Sequence, residues 1–134
     1  MMYMTKTYAM KAELPLTFGE ALERVKRALL EQGFGTLTEV DVRAVLKEKL
    51  GMEFRRYAIL GACNPRLSNR ALAADLEAGL VLPCNVVVYE EGEKGMVLIA
   101  DPETMMAPLG KPELHAVARE AKARLERVVA GLGS

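Results

Sequence analysis

Residues 61–89 read GACNPRLSNRALAADLEAGLVLPCNVVVY, and their order, a strand end, a helix and a second apolar strand, decides the fold. Asn64 suits a helix N-cap, and Pro65 suits the first helical position, where a missing N–H leaves no bond unmade. The spacing predicts a helix over residues 65–78, closed by Gly79. Val86, Val87 and Val88 then centre a strand predicted over residues 84–90. Both cysteines of the chain lie in this stretch, and asparagine follows each of them: Cys63-Asn64 and Cys84-Asn85.

Working upstream, residues 54–62 form a strand by their aromatic and β-branched content, with Tyr57 and Ile59 on one face and Phe54, Ala58 and Leu60 on the other. Two partly apolar faces place it inside a sheet. Before it, Asp41 can cap a helix whose expected buried stripe is Val42, Val45, Leu46 and Leu50, ended by Gly51. Residues 34–40 read as a short strand. Thr17-Phe18-Gly19-Glu20 has capping-box spacing, and Phe18, Ala21, Leu22, Val25, Ala28 and Leu29 recur at helical intervals up to Gly33. A first strand is predicted within residues 3–10, stopped by Pro15.

Downstream, Glu91-Gly92-Glu93-Lys94-Gly95 turns the chain into residues 96–100, which makes a hairpin. Met105-Met106-Ala107-Pro108 reads as an apolar loop. Pro112 opens a long final helix with the stripe Leu114, Val117, Ala118, Ala121, Leu125, Val128, Val129 and Leu132. No linker or repeat interrupts this order, so residues 1–134 are expected to form a single domain.

Composition narrows the function. Lysine plus arginine and aspartate plus glutamate number 18 each in 134 residues, so no global field favours nucleic acid or an anionic membrane. The opening MMYMTKTYAMKAEL has neither the apolar run of a signal peptide nor that of a membrane span, and a cytoplasmic location is expected. Two cysteines without a partner at metal spacing match neither a disulfide framework nor a zinc signature, so no metal is expected.

Four motifs, GFGTLTEVDVR (33–43), LGACNP (60–65), LPCNVVVY (82–89) and Asp101-Pro102, together resemble the family catalogued as domain of unknown function 302, over nearly the whole chain. The resemblance implies an α+β domain with a mostly antiparallel sheet and helices on one face, similar in topology to the repeat unit of TATA-binding protein. It also implies a homodimer. It carries no activity and no cofactor, and DNA binding does not travel with a fold.

Cys63 precedes a predicted helix N-terminus, where free N–H groups, the helix dipole and Arg66 and Arg70 favour a thiolate. It is a candidate nucleophile, with Cys84 as its resolving partner and Arg66 assisting; equally, it is a small apolar side chain ending a strand. Asn64 and Asn85 either tie down backbone or point at a ligand. His115, the only histidine of the sequence, reads as a surface residue, and Asp41 as a cap. Three functions follow. The first is a small-molecule binding module with a pocket marked by Cys63, Asn64, Arg66, Cys84 and Asn85; the second is a thiol-based redox or metal-responsive protein; the third is a purely structural or interaction protein. An enzyme is the less favoured outcome.

Overall fold

The computed structural model describes the backbone of residues 2–5 and the whole of residues 8–132. Six strands make one sheet in the order β1-β2-β6-β5-β4-β3: β1 is Met2–Thr5, β2 Ala9–Leu14, β3 Gly35–Asp41, β4 Tyr57–Cys63, β5 Cys84–Glu91 and β6 Lys94–Ala100. Each neighbouring pair is antiparallel. The single strand expected over residues 3–10 is two strands, because alternation continues past Met10: Met10, Ala12 and Leu14 are buried, and β2 runs beside β1 with Tyr3 opposite Ala12.

Five helices accompany the sheet: α1 Phe18–Glu31, α2 Val42–Leu50, α3 Pro65–Ala74, α4 Pro102–Met106 and α5 Pro112–Gly131. Thr17 and Glu20 close the capping box, Thr17 Oγ1 accepting from Glu20 N at 3.3 Å and Thr17 N donating to Glu20 Oε1 at 3.1 Å. The Thr17 backbone bond, followed by its hydroxyl bond, holds the Glu20 carboxyl below its ordinary range. Beyond the end of α1, Gly33 takes φ 85°, a left-handed conformation that costs glycine nothing.

The core lies between one face of the sheet and the helices α1, α3 and α5. Ala58, Leu60 and Ala62 of β4, Val86 and Val88 of β5, and Val97 and Ile99 of β6 meet Val25 and Leu29 of α1 and Leu114, Leu125 and Val129 of α5. Each such leucine or valine contributes about 1.5–3 kcal/mol by leaving water. Close approach is bought with glycine: a Cβ at Gly95 would lie 2.5 Å from the Ala21 Cβ, so α1 could not rest on β6 there.

Three expected elements differ. α2 is helical and capped by Asp41, whose carboxylate accepts from Ala44 N at 3.0 Å, yet none of its residues is buried. Its apolar stripe is covered only in part: α2 lies beside β4 and Val42 and Leu46 are half-buried, but Val45 is 42% exposed and Leu50 65%. The helix expected over residues 65–78 stops at Ala74, since Asp75 turns extended and recaps a 3₁₀ segment, Leu76–Val81, by accepting from Glu77 N. The apolar loop at 105–108 is helical instead. Asp101, 3% exposed, caps α4 through Glu103 N at 2.8 Å, and Pro102 occupies a first-turn position.

Candidate functional site

β4 and β5 lie side by side, with Ala62 opposite Cys84 and Gly61 opposite Asn85, so both Cys-Asn dipeptides reach the same end of the sheet. Gly61 permits this closeness. A Cβ there would overlap Thr38 Oγ1 and come within 2.8 Å of Pro83 Cγ, the ring that leads β5 in through a cis Leu82-Pro83 bond.

The side chains then part company. Cys84, half-buried, follows the alternation of Val86 and Val88 toward the helices. Burial, and next the neighbouring Cys63, push its thiol up from 9.0 to about 11. Cys63 instead pairs its Sγ with Ser68 Oγ of α3 at 3.1 Å. Both cysteines are free thiols. Asn64 caps α3 as its position suggests, Oδ1 accepting from Leu67 N at 3.2 Å. Asn85 is exposed, so it is not a buried amide in need of partners.

Two hollows flank this end of the sheet. The first, about 230 Å³, is lined by Leu80, Val81, Leu82 and Pro83 on the approach to β5, by Cys84 and Asn85 at its start, and by Ala100, Pro102, Met105 and Met106 across from them. Met106 is core at 2% exposure, whereas Met105 is 36% exposed. The second, about 620 Å³ and more open, lies between the start of α3 and α5 and is lined by Gly33, Asn64, Pro65, Arg66, Leu67, Arg70, Glu120 and Arg124. A nearly filled seam of about 10 Å³, bounded among others by Asn64, Ser68, Leu82, Cys84 and Met106, runs between them.

The five residues singled out in the sequence thus divide. Cys84 and Asn85 line the apolar hollow, Asn64 and Arg66 the basic cleft, and Cys63 neither. Arg66 and Arg70 are exposed, and Arg70 donates to Glu120 Oε1 at 3.0 Å, which holds the Glu120 carboxyl below its usual range. Sequence reasoning missed Glu120 and Arg124, which reach the cleft from a helix some fifty residues away in the chain; their i,i+4 spacing on α5 signals an ion pair but not a site. Among the described residues no three His, Cys, Asp or Glu side chains converge as a metal site would require, and no helix is long and apolar enough to cross a membrane. His115 is exposed.

The family description "Domain of unknown function DUF302" matches residues 10–132. Among solved structures, an uncharacterized conserved protein DUF302 from Bacillus stearothermophilus is similar, with 28% identity and a TM-score of 0.86 over 94% of this chain and 98% of that one. No curated protein matches.

Proposed function

The chain belongs to the DUF302 family, and from that premise we propose that it is a small binding module whose ligand is an apolar small molecule held in the hollow beside Cys84. The observation that carries this reading is the hollow itself. Its lining is mostly aliphatic and thioether, with the Cys84 thiol and the Asn85 amide as polar groups able to orient a guest. Leu80, 82% exposed, and Met105 give it an apolar lip, and methionine adapts its shape to what it meets.

The thiol-based alternative has less support. A Cys84 thiol pushed up to about 11 is protonated at neutral pH and is a poor nucleophile or metal ligand. A soluble protein of the cytoplasm remains the proposed setting.

A homodimer belongs to the same proposal. Leu37, Val40, Val45, Leu50, Met52 and Phe54, all exposed, fall in the continuous stretch of β3, α2 and the segment after it. The partner proposed is a second copy, because β3 is an edge strand with a free side and a chain of zero net charge does not repel itself.

Native mass spectrometry of protein purified from cells tests the binding role. A co-purifying small molecule is expected, lost when Ala100→Leu fills the hollow. Retention of that molecule by the variant, or its absence together with no uptake of a fluorescent apolar probe, overturns the reading.

A further inference from the structure

We propose that the cleft between α3 and α5 is a second binding site, one that takes the phosphate group of a small metabolite. Asn64 supplies the first observation. Its side chain is 8% exposed and its Oδ1 is committed to Leu67 N, but its Nδ2 has no acceptor among the described residues. A buried polar atom that lacks a hydrogen-bond partner among the described residues, Arg124 Nε, belongs to the same cleft and calls for an explanation.

Gly33 supplies the second. The point its Cβ would occupy is 2.9 Å from Asn64 Nδ2 and 3.9 Å from Arg124 Nη1, so the missing side chain leaves a space within reach of both donors. Gly33 lines the cleft with them.

Arg66 supplies the third. It is exposed, and neither its guanidinium nor its backbone N–H has a partner among the described residues. Pro65 has no N–H, while those of Leu67 and Ser68 are taken by Asn64. The first turn of α3 therefore keeps one free amide, at the positive end of the helix dipole.

Charge selects the guest. Three arginines against Glu120 leave two positive charges around the cleft, the complement of a phosphate monoester dianion, whose three terminal oxygens suit several converging donors. A carboxylate brings one charge and two oxygens. The site shares no lining residue with the apolar hollow, so it stands or falls apart from that reading.

Titration calorimetry with inorganic phosphate at low ionic strength is the test. Saturable binding with a dissociation constant of about 1 mM or tighter is expected, weakening as salt is added. Asn64→Asp keeps a side-chain oxygen for the cap but loses the amide donor, so it should melt close to the parent and bind about tenfold more weakly, as should the exposed Arg66→Gln. Acetate should bind more weakly than phosphate, and Ala100→Leu should leave phosphate binding unchanged. The proposal is overturned by absence of saturable phosphate binding, by parental affinity in both cleft variants, or by acetate binding as tightly as phosphate.

Discussion

Gly33 stands where any other residue would press on Asn64: a Cβ at Gly33 would lie 2.9 Å from Asn64 Nδ2, closer than side chains tolerate. The stop of α1 and the cap of α3 are therefore one arrangement, joined although their residues are far apart in the chain. Gly33→Ala should suffer twice. The new methyl sits on a backbone at φ 85°, and it crowds the amide whose oxygen caps Leu67 N. Left-handed strain and partial loss of the cap together should cost about 2–3 kcal/mol in urea denaturation. Asn64→Ala, which removes the cap without the strain, should cost about 1 kcal/mol. Equal losses in the two variants would mean that strain at Gly33 contributes nothing.

Features whose two partners lie within a few residues are legible in the chain. The Thr17–Glu20 capping box, the Asp41 and Asn64 caps, Pro65 at the start of α3, and the buried stripe of α5 all follow from local spacing. Adjacency of the strands bearing Ala62 and Cys84 is not among these features, and the β4–β5 pairing alone supplies it. What local spacing hides is which surface an amphipathic helix meets. The stripe on α2 repeats at helical spacing like that on α1, yet it is only partly covered beside β4, while Val25 and Leu29 of α1 are fully buried. The cleft is hidden for the same reason, since Glu120 and Arg124 of α5 meet Arg70 and Gly33 through packing alone.

Stability should fall on the alkaline side, and Cys84 sets one part of the window. Its thiol goes up to about 11 in the folded chain from 9.0, so above pH 9.0 the unfolded chain releases a proton that the folded chain retains. Unfolding is then favoured increasingly, by about 1.4 kcal/mol per pH unit at most, until the folded thiol ionises near pH 11. Lys122 acts in the same sense at higher pH: its bond to Asp101 raises it above 10.5, and that stability is lost as pH rises through the raised value. Denaturation midpoints measured across pH 8 to 11 should slope downward, and Cys84→Ala should flatten the lower part of the slope. An unchanged slope in that variant would remove Cys84 from the account. Alkylation of Cys84 in a Cys63→Ser background should likewise accelerate toward pH 11.

Asp101 joins two elements through one carboxylate. Its side chain accepts from Glu103 N at 2.8 Å and Thr104 N at 3.4 Å and receives Lys122 Nζ of α5 at 3.0 Å. The carboxylate is buried, while the lysine keeps part of its surface in water, so removal of the acid costs more than removal of an exposed partner. Asp101→Asn retains an oxygen for the cap but no charge for Lys122, and should lose about 1–2 kcal/mol. Asp101→Ala loses cap and pair together and should lose about 2–4 kcal/mol. Because α4 carries Met105 and Met106, the alanine variant should also loosen the apolar hollow, seen as weaker uptake of an apolar probe than in Asp101→Asn.

Leu50 offers the most direct test of self-association. It ends α2, is 65% exposed, and contributes nothing to the core of its own chain, as Leu37 at the β3 bulge, 66% exposed, also does not. Covering either with a second copy would contribute about 1.5–3 kcal/mol per copy, enough for two such residues to shift a dimer equilibrium by several decades. Sedimentation equilibrium should therefore give twice the chain mass for the parent protein. Leu50→Glu and Leu37→Glu should each move it toward the single-chain mass, because an introduced carboxylate meets its own image or an apolar neighbour across the interface. Neither substitution should disturb the fold of the single chain, so the circular dichroism of the variants should match the parent. A parent that sediments at the single-chain mass at every concentration tested, or variants that associate as strongly as the parent, would leave α2 and β3 without the proposed partner.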